Sequence, residues 1–97
     1  MRPLIVSAAL AATLALATGP AAAACYADYK AKRDDPLRLH YGVAELRGDA
    51  CDPETAAAAL RPRLADAGWQ LLNIVSIFGE EGLAQRKDTA GEYYLRF

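Results

Sequence analysis

A chain of 97 residues with 11 basic and 12 acidic side chains has room for one small domain and a formal net charge of −1. That balance gives no basic face of the kind nucleic-acid binding requires. One histidine and two widely separated cysteines do not supply the closely spaced ligand pairs of a zinc site. No phosphate-binding loop or cofactor motif is present, so neither a metal nor a cofactor is expected.

The N-terminus reads as a secretory signal. Arg2 provides the positive charge, Leu4 to Ala17 is an uncharged apolar run, and Ala21 to Ala24 are the small residues that signal peptidase requires. The run falls short of the roughly 20 apolar residues needed to span a bilayer. Residues 1–24 are therefore expected to be removed, which takes the net charge to about −2 by the loss of Arg2. The compartment implied is the periplasm or the exterior.

Cys25, the first residue after that leader, carries two readings. An even cysteine count in an exported chain favours a disulfide between Cys25 and Cys51. Such a staple suits a domain too small to bury a large core. The alternative is a lipid anchor on Cys25, for which Ala22-Ala23-Ala24-Cys25 offers the small residues without the usual upstream leucine. A lipidated Cys25 would tie the protein to the envelope membrane and leave Cys51 as a free thiol.

Residues 25–36, CYADYKAKRDDP, read as an N-terminal charged segment with a short helical turn that sets Tyr26 and Tyr29 on one side. The basic run is followed at once by Asp34-Asp35, the pattern of a solvated surface. Leu37 to Leu46 alternates. Leu37, Leu39, Tyr41 and Val43 face one way, and Arg38, His40, Gly42 and Ala44 the other, as in a half-buried strand. A turn over Gly48 and Asp49 leads to Asp52-Pro53-Glu54, which predicts a capped helix start. Ala57, Leu60, Leu64 and Ala67 make its apolar stripe, Gly68 stops it, and Pro62 predicts a kink or two abutting pieces.

Gly68 to Gly79 is the strongest strand signal, with Trp69, Leu71, Asn73, Val75 and Ile77 on one face and Gln70, Leu72, Ile74, Ser76 and Phe78 on the other. Asn73 is the one polar residue in its row, suited to a backbone group or a second subunit. After a turn at Gly79–Gly82, the segment from Leu83 to Lys87 extends the hairpin, and Glu92 to Phe97 forms a closing strand. The expected fold is α+β: a single small domain at residues 37–97 running strand–helix–strand–strand. Its three-stranded antiparallel-type sheet has one helix on one face.

The pair Gly68-Trp69, leading into Gln70-Leu71-Leu72, and the closing Tyr93-Tyr94-Leu95-Arg96 resemble a family of small bacterial proteins called domain of unknown function 4177. The resemblance covers about residues 37–97 and departs at Gln70, where that family is usually acidic, and in the added export signal. It implies the strand–helix–strand–strand order and brings no catalytic residue.

His40 is the sole candidate for general base catalysis, and no nucleophile–base–orienter arrangement surrounds it in the sequence. The adjacent acids Asp34-Asp35 and Glu80-Glu81 lie in turns rather than opposed across a cleft, and Ser76 has no nucleophile elbow. Catalytic residues are therefore expected to be absent. Trp69, Tyr93, Tyr94 and Phe97 are candidates for an aromatic surface or, more simply, for core. The expected function is a non-enzymatic exported module that binds itself or an envelope protein through a sheet face or edge left open. The alternatives are the Cys25-anchored lipoprotein and a small enzyme using His40.

Overall fold

The computed structural model describes residues 24–97. The expected leader therefore lies outside the described residues, apart from Ala24. Strand β1 (Cys25–Arg33) turns through residues 34–37 into β2 (Arg38–Leu46). Helix α1 (Pro53–Asp66) and strand β3 (Gln70–Phe78) follow, and then helix α2 (Ala84–Ala90) after a single 3-10 turn. The sheet order is β2-β1-β3, with β1 antiparallel to both neighbours. A small α+β domain with a three-stranded antiparallel sheet is therefore the architecture.

The identity of its central strand differs from the sequence expectation. Cys25–Arg33 is neither a helical turn nor a segment apart from the domain. Its period-two set Cys25, Ala27, Tyr29 and Ala31 is buried on one face against α1, while Tyr26 and Asp28 are buried on the other. Burial on both faces is what a central strand requires. The cystine between Cys25 and Cys51 ties the first residue of this strand to the loop before α1.

Helix α1 is built as its start signals indicate. The Asp52 carboxylate accepts from the Thr55 N–H at 2.9 Å, and Pro53 occupies the first turn, where no donor is needed. The buried stripe is Ala56, Leu60 and Leu64 rather than one through Ala57 and Ala67, since four-residue spacing keeps the three in line. One uninterrupted helix runs through Pro62. At its end the Gly68 N–H donates to the Ala65 carbonyl and the Trp69 N–H to the Leu64 carbonyl, both at 2.9 Å. Gly68 supplies the left-handed φ of 85° that this double closure needs, and Trp69 then enters the core beside Leu64.

Strand β3 departs from simple alternation. Its pairing with β1 shifts register twice, between Asp28 and Tyr29 and between Lys30 and Ala31. Leu71, Ile74 and Ile77 therefore all pack toward α1, and Leu72 and Val75 stay exposed at 47% and 48%. Asn73, opposite Lys30, is exposed.

The C-terminal third also differs. Leu83–Ala90 does not extend a hairpin: Ala84–Ala90 is helical, as its Ala, Gln, Arg and Lys content favours. Residues 92–97 do not form a strand either. Gly91–Tyr93 is a 3-10 turn, Tyr94 makes one isolated parallel bridge to Val43, and Leu95 at φ 56° breaks the extended backbone. The Leu95 N–H donates to the Val43 carbonyl at 2.8 Å, which lays this tail along the outer edge of β2. A second helix thus packs on the face expected to be bare, although α2 covers only part of it.

Candidate functional site

Three places on the sheet bring polar chemistry together, and the first surrounds His40. On β2, His40 lies opposite Ala31 and so faces α1, where it is 7% exposed. Tyr93 stacks on its ring with centroids 3.8 Å apart, and Trp69 meets it edge-on at 4.3 Å. The Tyr29 hydroxyl and His40 Nε2 are 2.9 Å apart, whereas the buried Nδ1 has no hydrogen-bond partner among the described residues. Gly42, opposite Tyr29, makes the room, because a Cβ there would lie 2.5 Å from the Tyr29 hydroxyl oxygen. Arg33 closes the cluster, its guanidinium 4.1 Å from the Trp69 ring centroid and donating to the Ala67 carbonyl at 2.8 Å.

These surroundings hold His40 neutral. Burial first, and then the Arg33 guanidinium, push its pKa from 6.5 down to about 4, with Glu92 opposing and Arg96 adding slightly. Burial likewise pushes the Tyr29 hydroxyl well above the usual phenol range. No carboxylate is hydrogen-bonded to His40 among the described residues, so the geometry offers it no orienting acid.

A histidine with a depressed folded pKa stabilises the fold above its unfolded value, and that stability is lost as pH falls toward the folded value. Between pH 6.5 and about 4 the protein is expected to lose about 3 kcal/mol to His40 protonation in the unfolded state. Urea unfolding across this range checks it. His40→Phe should flatten most of the slope, and a slope unchanged in that variant would contradict the assignment.

The second place, on the opposite face, was not foreseen from the sequence. Asp28 on β1 is 4% exposed and receives three donors. Ser76 Oγ on β3 donates at 2.6 Å, the Tyr41 hydroxyl on β2 at 2.8 Å and Arg86 Nε on α2 at 3.1 Å. Burial raises the Asp28 pKa, but the three hydrogen bonds and the Arg86 charge together outweigh it and hold the carboxyl below its usual range. Tyr41 is driven the other way, to about 12, by burial and by its carboxylate acceptor. Asp28 thus joins all three strands to α2. Both carboxylate oxygens are engaged, so the arrangement clamps the sheet to α2.

The third place is the part of this face beyond α2. Tyr26, Val43 and Ala90, with Phe78, Leu83 and Tyr94, form a small second core under α2. Past Tyr41 the face opens into a groove of about 280 Å³ beside Lys30, Leu39 and Leu72. Leu39 is 66% exposed there.

No family model, curated protein or solved structure matches the chain.

Of the aromatic candidates, Trp69, Tyr93 and Phe97 gather around His40, with Trp69 fully in the core. Tyr94 is separated from them on the α2 side of the sheet. The four do not make one exposed platform. Cys25 and Cys51 are joined, as the parity argument expects. No cluster of three or more histidine, cysteine or acidic side chains able to hold a metal occurs among the described residues. No helix among them is long and apolar enough to cross a membrane.

Proposed function

We propose that this chain is an exported, disulfide-stapled, non-enzymatic module that associates with a second copy of itself or with an envelope protein. The observation that carries the reading is the outer edge of β3. Among the described residues the order β2-β1-β3 leaves that strand without a neighbour on one side, while the tail at Tyr94 and Leu95 occupies part of the β2 edge. Leu72 and Val75 stand exposed along it, where an isolated soluble domain would favour charge. The register shifts of β3 interrupt its regular ladder, which favours contact through these side chains over continuous sheet extension.

Export is supported by the apolar leader and by the cystine, which persists in oxidising compartments. The same Cys25 sulfur cannot carry a lipid thioether while bonded to Cys51, so the lipid-anchored alternative requires that bond to be absent. The His40 enzyme reading lacks a base–acid pair at the histidine. Light scattering of the oxidised protein at tens of micromolar is expected to give a dimer mass, with Val75→Lys shifting it to monomer. A monomer at every concentration would remove self-association and leave only a heterologous partner.

A further inference from the structure

We propose that the groove beyond α2 binds a small amphiphilic carboxylate, its charged end at Lys30 and its apolar part between Leu39 and Leu72. The groove is lined by Lys30, Ala31, Leu39, His40, Tyr41 and Leu72. Ala31 and His40 pair across β1 and β2 and turn their side chains to the α1 face, so they contribute strand backbone as a floor. The walls come from the other four. A volume of about 280 Å³ lies at the small end of ligand pockets, which suits a short chain or single ring rather than a long acyl tail.

Charge selects the ligand class. The ion pairs among the described residues are Lys32 with Asp34, Arg86 with Asp28, and Arg96 with Glu92, and Lys30 takes part in none of them. Asp28, the buried acid of this face, has both oxygens engaged by Ser76, Tyr41 and Arg86. The Tyr41 hydroxyl proton is likewise committed to Asp28. An exposed ammonium beside exposed leucines is therefore complemented by an anion attached to apolar carbon. A two-fold contact between copies centred here would instead bring Lys30 toward Lys30, which like charge disfavours.

The groove shares Leu72 with the β3 edge but not Val75, so Val75→Lys, which is expected to remove self-association, separates the two proposals. Titrating the oxidised mature chain with decanoate, below the concentration at which decanoate forms micelles, and following amide shifts by NMR tests it. The expected result is saturable binding with shifts centred on Lys30, Leu39, Tyr41 and Leu72. Lys30→Gln should weaken it about fivefold, as loss of an exposed charge-assisted contact does. Leu39→Asp should abolish it, decanol should bind like decanoate does to Lys30→Gln, and Val75→Lys should retain it. Non-saturating shifts spread over the surface would overturn the proposal. So would equal affinities for decanoate and decanol, or for wild type and Lys30→Gln. Concentration-dependent shifts at Lys30, Leu39 and Tyr41 that persist without ligand in Val75→Lys would show that a second copy fills the groove, and would also overturn it.

Discussion

Asp28→Ala is expected to cost about 3–5 kcal/mol, because it leaves the Arg86 charge and the Tyr41 and Ser76 hydroxyls without their acceptor under α2. Arg86 retains some access to water, its side chain being 22% exposed, which places the value toward the lower end. The damage should be local first. Helix α2 has only seven residues and is fixed to the sheet by this clamp and by Leu83 and Ala90, so its amides should lose exchange protection before those of β1. Asp28→Ala combined with Arg86→Ala should cost less than the sum of the two, since removing both partners leaves no unpaired charge. Urea unfolding of the three variants decides it; a loss below about 1 kcal/mol for Asp28→Ala would mean that the clamp does not hold α2. The depressed Asp28 pKa means the stabilisation is present above the ordinary carboxylate range and is lost only as pH falls through the lower folded value.

Removing the cystine should have a comparable effect. Cys25 and Cys51 are 26 positions apart, and closing a loop of that length restricts the unfolded chain by about 3.5 kcal/mol in the entropy treatment. For a domain of this size that corresponds to a fall in melting temperature of roughly 15–25 °C. The location adds a directional consequence. Without the bond, the start of the central strand loses its tether while Leu46, Ala27 and Ala44 lose part of their cover, so both hairpin partners should loosen together. Calorimetry of Cys25→Ala combined with Cys51→Ala measures the loss; a melting temperature within a few degrees of the oxidised protein would contradict it.

The parts of this fold that were legible in the sequence are those governed by local chemistry. Asp52-Pro53 capping and the Gly68 stop act within a few residues and appear where expected. The strand expected from Leu37 starts one residue later, at Arg38, and its more deeply buried face is that of His40, Gly42 and Ala44, with Leu37 and Leu39 exposed. Segment 25–33 was misread because its charges, Lys30, Lys32 and Arg33, mask a period-two row of Cys25, Ala27, Tyr29 and Ala31. That row of small and apolar residues was the available signal for a strand. The closing GEYYLRF alternates as a strand does, but the 3-10 turn at Gly91 and the positive φ at Leu95 send Tyr93 and Tyr94 to opposite faces of β2.

The candidate sites were less legible because they depend on register. Asp28, Ser76, Tyr41 and Arg86 come from four elements, and only the order β2-β1-β3 brings them together. The groove at Lys30 depends on where a short α2 stops, and the exposure of Leu72 and Val75 on two register shifts in β3. Alternation alone assigns Val75 to the row of Leu71 and Ile77 and Ile74 to the other, whereas Ile74 is the one that packs with Leu71 and Ile77. His40 was correctly placed opposite the Leu39–Tyr41 row; that its face is the α1 core followed only from the central position of β1.

The intact mass of the mature protein purified from its native host, with and without reductant, bears most directly on an exported and disulfide-stapled module. A chain that begins near Cys25 and gains two hydrogens on reduction is the predicted result. An uncleaved leader, free thiols, or a mass raised by a diacylglyceryl or triacylated cysteine would contradict it, the last by making Cys25 an anchor instead of the staple of the central strand.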